Sequence, residues 1–135
     1  MMNSLLSIVL SYLIRHYEEA METAVAESSR LQKLEAMLVH IESNFRTITL
    51  RELAEKFYFT EQYLSKYIKG NTGKTFIEIV RDIRLKNAQK LLSTTDLLIG
   101  EISEASGYTS VEHFTRQFKR EFSVSPTNYR KLKSI

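Results

Sequence analysis

Residues 99–130 read IGEISEASGYTSVEHFTRQFKREFSVSPTNYR. Apolar residues recur at intervals of three and four from Ile99 to Ser106 and again from about Val111 to Phe122, the period of amphipathic helices. Gly107 stops the first segment and Ser110 supplies an N-cap for the second. Ser125-Pro126 then sets proline at the first position of a third helix, running to about Leu132, where the missing N–H costs nothing. A short helix, a tight turn and a second amphipathic helix make up the layout of a helix-turn-helix.

The same layout occurs earlier in the chain. Glu52, Leu53 and Glu55 answer to Glu101, Ile102 and Glu104, at an offset of 49 residues. Thr60, Leu64, Lys66, Ile68 and Lys69 answer to Ser110, Phe114, Arg116, Phe118 and Lys119 at an offset of 50, so the second turn is one residue longer. Internal repetition of this kind marks one structural unit used twice. Thr49 and Glu52 form a capping box for a helix over Leu50–Phe57, and Thr60 caps one from Glu61 to about Lys69, ending near Gly70. Thr75 and Glu78 form a second box at the head of a connector helix from Phe76 to about Leu92. That connector has no internal Gly or Pro and would be roughly 25 Å long.

Towards the N-terminus, Leu6, Val9, Leu10, Leu13, Tyr17, Ala20 and Ala24 form one broad stripe on a helix from Ser4 to Ala26. Ser28 and Ser29 offer an N-cap for a further helix carrying Leu31, Leu34, Leu38, Ile41 and Phe45. No segment alternates with the period of two that marks a strand. The expected fold is all-α: two helix-turn-helix subdomains joined by a long connector helix, with an N-terminal helical extension.

Charge divides the chain in the same place. Residues 1–45 hold three basic and six acidic residues, whereas residues 46–135 hold 16 basic and 10 acidic ones. A basic module behind an acidic segment suits a polyanionic partner. The second helix of such a unit lies in the major groove with its N-terminal residues against base edges. In the first copy Leu64, Tyr67 and Ile68 anchor that helix and leave Gln62, Ser65, Lys66 and Lys69 outward. In the second, Phe114, Phe118 and Phe122 anchor it and leave Val111, Glu112, His113, Thr115, Arg116, Lys119 and Arg120 outward. Arg and Lys donate to guanine and Gln pairs with adenine, while Glu accepts from cytosine and Val covers a thymine methyl.

The segments LAEKFYFTEQYLSKYIKGNTGKTF (53–76), IRLKNAQKLL (83–92) and residues 99–130 resemble the DNA-binding domain of the arabinose-regulator (AraC/XylS) family of bacterial transcription regulators. The resemblance runs from Thr49 to Arg130, about three fifths of the chain. It implies two helix-turn-helix units entering successive major grooves on one face of double-stranded DNA, and regulation of transcription as an activator, with RNA polymerase as a further partner. It places base reading on Gln62, Ser65 and Lys66, then on Val111, Glu112, His113 and Arg116. Backbone contacts fall on Thr60, Tyr63, Lys69, Thr115 and Lys119. Ser123 and Ser103 depart from a frequent Gly and Ala, and Leu98 stands where a polar cap is common. These departures bear on local stability: Ser123 is strained if its φ is positive, and the start of the helix behind Leu98 loses a cap. By the same resemblance, residues 1–45 correspond to a linking and dimerising segment, with a homodimer expected through residues 1–29.

Rival chemistry finds little support. Gly73-Lys74-Thr75 lacks the glycine of a P-loop five residues earlier, where Ile68 stands, and it follows a helix rather than a strand. With no cysteine, and with His16, His40 and His113 far apart, neither a metal site nor a thiol nucleophile is expected. No serine lies in a G-x-S-x-G elbow. The reading is therefore no enzyme, no cofactor and no metal. The apolar run Leu5–Ile14 is shorter than the roughly 20 residues of a membrane span. No cation precedes it and charged residues separate it from Ala24-Val25-Ala26, so a cytoplasmic protein without membrane contact is expected. The competing reading is a helical protein-interaction or dimerisation module that does not read DNA.

Overall fold

The computed structural model describes residues 2–134, with side chains from residue 4 onward. Met1 and Ile135, which bound the two expected segments, lie outside the described residues, as do the side chains of Met2 and Asn3. Among the described residues the elements are α1 (Met2–Ser43), α2 (Leu50–Lys56), α3 (Glu61–Thr72), α4 (Phe76–Thr94), α5 (Ile99–Ala105), α6 (Val111–Phe122) and α7 (Pro126–Lys133), with no strand. Contacts divide the chain into two compact units, Met1–Met37 and Leu38–Ile135.

The helix starts follow the capping residues. The hydroxyls of Thr49, Thr60, Thr75, Ser110 and Ser125 each accept from the N–H three residues on, at 3.1–3.2 Å. Each such cap is worth about 1 kcal/mol. Leu98 has no side chain able to cap α5, but the Glu101 carboxylate accepts from the Leu98 N–H at 2.9 Å. That bond satisfies one backbone donor at a start the sequence leaves weakly capped.

Two expected boundaries are wrong. Ser28 and Ser29 do not start a new helix, because α1 runs through them without interruption. A serine inside a helix costs only a fraction of a kcal/mol and neither Gly nor Pro breaks the run, while Arg30 and Glu27 pair across one turn at 3.2 Å. Likewise α3 does not stop near Gly70 but continues to Thr72, and its C-cap is Gly73 at φ 77°.

In the first unit, residues 4–33 are all exposed. Leu6, Leu10, Leu13, Tyr17, Ala20, Ala24, Glu27 and Leu31 follow one another there at alternating steps of four and three. This is a heptad seam, interrupted by a single carboxylate.

In the second unit α4 is the central element. Its first half buries Phe76, Ile79 and Val80, and α4 packs against α3, whose buried residues are Leu64 and Ile68. Its second half buries Leu85, Ala88 and Leu92 in a cluster with Ile102, Tyr108, Phe114 and Phe118, flanked by Phe122 and Tyr129. The Arg130 guanidinium ties α7 to the α4–α5 connection, donating to the carbonyls of Leu92, Thr95 and Leu97 at 3.3, 3.2 and 2.6 Å. Ser103 is fully buried with its Oγ unpartnered, so the hydroxyl gains nothing where an alanine would pack.

Candidate nucleic-acid interface

The two repeats fold alike down to single hydrogen bonds. In the first turn the N–H of Tyr58 donates to Glu55 O and that of Phe59 to Ala54 O; in the second, Gly107 donates to Glu104 O and Tyr108 to Ser103 O. The 49-residue offset read from the sequence therefore holds through the turns. Both turns need one residue in the left-handed region, and both have it: Tyr58 at φ 59° and Gly107 at φ 92°. Beyond the second helices, Gly73 (φ 77°) and Ser123 (φ 65°) close α3 and α6 by donating to Lys69 O and Lys119 O.

These turns aim α3 and α6. Leu64 and Ile68 on α3, and Phe114 and Phe118 on α6, are buried. The opposite faces carry the residues singled out in the sequence. Gln62, Ser65, Lys66, Val111, Glu112, His113 and Arg116 are all exposed, as are Thr60, Tyr63, Lys69 and Lys119; Thr115 is half-buried. Each helix thus presents its N-terminal turns to solvent with hydrogen-bonding and cationic groups on one side.

Some of these groups are already engaged. Ser110 Oγ accepts from the His113 N–H and donates to Glu112 Oε2 at 3.0 Å. The Glu112 carboxyl is held below its usual range by the bond from its own backbone N–H, then by that from Ser110, with the Arg116 charge adding to both. Glu112 is therefore an ionised acceptor at the start of α6. Lys69 Nζ donates to Gly73 O at 3.0 Å, which leaves two of its protons for an anion. Tyr63 is tilted against Phe59 and Tyr67, with ring centroids 4.9 and 6.2 Å away. The His113 ring rests 5.6 Å from that of Tyr108.

Sequence reasoning missed two side chains by which α4 bonds the segment ahead of α2 and the end of α5. Arg84 on α4 donates from Nε to Phe45 O at 2.9 Å and from Nη2 to Arg46 O at 3.5 Å, and its guanidinium lies 5.9 Å from the Tyr108 ring centre. Burial pulls its pKa below the usual arginine value. One helical turn on, Asn87 Nδ2 donates to Ser106 Oγ at 3.3 Å and Ala105 O at 3.5 Å. Gly107 sits in this packing: a Cβ there would stand 2.9 Å from Arg84 Nε and 3.0 Å from Arg46 Cα.

A family profile for a helix-turn-helix domain matches residues 53–132. The chain is 29% identical over 126 residues to the uncharacterized HTH-type transcriptional regulator YijO of Escherichia coli K12, a match covering 92% of this chain and 44% of that protein. The chain thus spans less than half the length of that relative. Its fold is similar to the C-terminal domain of AraT, a response regulator from Geobacillus stearothermophilus, at TM-score 0.70 and 35% identity over 73% of this chain and 83% of that one. The DNA-binding domain of AdpA, solved with a target DNA, shares the fold at TM-score 0.65 and 22% identity, over 76% of this chain and 90% of that one. With the duplicated helix-turn-helix, its long connector and these matches together, the chain belongs to the AraC/XylS-type family of helix-turn-helix transcription regulators.

Proposed function

We propose that residues 46–135 bind double-stranded DNA sequence-specifically and regulate transcription as an activator, with α3 and α6 in successive major grooves. The observation that carries this reading is the pair of second helices with matching caps, buried anchors on one face and exposed donors and acceptors on the other. Gln62, Ser65, Lys66, Val111, Glu112, His113 and Arg116 read bases, while Thr60, Tyr63, Lys69, Thr115 and Lys119 hold the phosphates. RNA polymerase is the natural further partner of an activator. Such a protein works in the cytoplasm, carries out no chemistry of its own, and has no helix among the described residues long and apolar enough to cross a membrane.

Binding to duplex DNA across a salt series tests this reading. A reader contacting several phosphates loses affinity with a log–log slope of about −0.9 per neutralised phosphate and prefers one sequence over random DNA. Binding without sequence preference, or none at low salt, would overturn it.

Two consequences belong to the same reading. α4 has 19 residues, about 28 Å at 1.5 Å per residue, against roughly 34 Å between major grooves on one face of straight DNA. A connector of that length bends the duplex toward the protein, at an elastic cost of about 1–6 kcal/mol that contacts by the second helix offset. Circular-permutation gels beside a footprint check this: two protected grooves on unbent DNA contradict it. Secondly, the exposed heptad seam of residues 6–31 supports a homodimer through residues 1–29, because a lone amphipathic helix in water is only marginally stable. Sedimentation at tens of micromolar should show a dimer for the full chain and a monomer for a chain starting at Ser29; two monomers would refute the seam. A purely protein-binding module is the reading that remains if the salt series fails and the dimer stands.

A further inference from the structure

We infer that Arg120 grips a DNA phosphate beside the second reading helix, and that the first reading helix has no equivalent grip because Gly70 stands at the matching position. This rests on the DNA-binding reading above and adds a contact that divides the two copies of the repeat. Arg120 and Gly70 are 50 residues apart, the offset that also pairs Arg116 with Lys66 and Lys119 with Lys69. On α6, His113, Arg116, Gln117 and Arg120 follow one another at steps of three, one and three, and together they line one open recess. Arg120 therefore lies on the side of the helix that carries two of the base readers. Only the N-terminal turns of a reading helix meet base edges. A cation about 10 Å further along the axis than His113 stands where the helix leaves the bases and the phosphate strand passes. Arginine suits that place, because its guanidinium is always charged and pairs with a phosphate through two parallel bonds.

The guanidinium is available for this. Arg120 is exposed and takes part in no hydrogen bond or ion pair among the described residues. Neither acid of α6 neutralises it. Glu112 is tied to Ser110 at the start of the helix, and Glu121 lines a separate recess with Lys74, Asp82 and Lys86. On α3 the last cation is Lys69, whose Nζ already donates to Gly73 O. A Cβ at Gly70 would meet nothing within 4 Å, so a side chain is missing there without being crowded out. Phosphate contacts fix position and carry no sequence information. Arg120 thus adds affinity and salt dependence to the second half of the site and leaves the preferred bases as they are.

The test uses the full chain and a DNA site selected from a random library with the unaltered protein. Affinity for that site and for its single-base variants is measured between about 50 and 200 mM salt. The proteins compared are Arg120→Gln, Arg120→Lys, Gly70→Ala and Gly70→Arg, each with helical content matching the parent. Loss of one neutralised phosphate removes about 0.9 from the log–log salt slope. Arg120→Gln should bind more weakly at low salt, with the deficit shrinking about threefold to fourfold across that range. Its ratio of preferred to variant sites should stay within about twofold of the parent's. Arg120→Lys, which keeps the charge, should keep the parent slope. Gly70→Arg should steepen the slope by about 0.9 over Gly70→Ala, which controls for the helix propensity gained. An unchanged slope in Arg120→Gln overturns the proposal, as does a loss confined to one base position, or no steepening in Gly70→Arg. Failure of the unaltered protein to select any site overturns the DNA-binding reading instead.

Discussion

The two helix-turn-helix units share one backbone path but exchange the residues that bear its strain. In the first, a tyrosine takes the left-handed turn position and a glycine closes the second helix; in the second, a glycine takes the turn and a serine closes the helix. The local backbone demand is the same at both turns, so φ alone does not decide where glycine stands. Surroundings do. A Cβ at Gly107 would collide with Arg84 and the Arg46 backbone, whereas Tyr58 projects into solvent and bears only its own conformational cost. The buried anchors differ in kind as well. α3 buries aliphatic Leu64 and Ile68 and sets Tyr63 and Tyr67 against Phe59, whereas the buried residues of α6 are themselves rings, Phe118 lying 5.9, 4.6 and 5.5 Å from Phe114, Phe122 and Tyr129. An enclosed glycine, rather than the shared backbone path, is thus what sets the second turn apart.

The hardest way to break that comparison is to add one methyl group. Gly107→Ala combines a left-handed alanine with a collision, and should destabilise the second unit by about 2–4 kcal/mol in chemical denaturation. Tyr58→Ala keeps the strain and removes a solvent-exposed ring, so its effect should stay within about 0.5 kcal/mol. Equal effects would show that crowding does not distinguish the turns. Next come the matched cations. Arg116 can grip guanine with two parallel bonds, whereas Lys66 is a flexible point charge. Arg116→Ala should cost about 1–3 kcal/mol at the preferred site and relax one base position. Lys66→Ala should weaken binding more evenly across sequences; an even loss for Arg116→Ala on preferred and random DNA would contradict its assignment. The smallest expected effect lies at the helix ends. Ser123→Gly relieves a left-handed serine and should gain up to about 1 kcal/mol, and Gly73→Ser, in open space, should lose about as much. A melting series on the two variants checks the symmetry directly.

Most of this architecture was legible because its signals are local. Caps at Thr49, Thr60, Thr75, Ser110 and Ser125 announce helix starts within four residues, and the repeat aligns the two units without any long-range information. The connector was legible from its apolar period and from its lack of Gly and Pro. The misread boundaries were those where a weak local preference met a favourable helical context. Ser28-Ser29 could cap a helix but costs little inside one, and Gly70, whose Cβ position is empty space, merely lowers the propensity of a helix that Gly73 is better placed to end. Arg84 and Arg130 left no trace of their roles. Each donates to backbone carbonyls more than 30 residues away in the chain, and carbonyls carry no residue identity. The outward faces of α3 and α6 were readable as faces, since anchors and exposed residues alternate with the helical period. The engagement of Glu112 with Ser110 and of Lys69 with Gly73 depends on rotamers, which spacing does not specify.

The central claim is that both copies of the repeat read DNA, each through its own second helix. Selection of bound duplexes from a random library by the full chain tests it most directly. The account predicts enrichment of one site with two short conserved blocks whose centres lie about one helical turn, 10–10.5 base pairs, apart. One block should blur on Lys66→Ala and the other on Arg116→Ala. Enrichment of a single block, indifferent to one of these substitutions, or no enrichment at all, would contradict it.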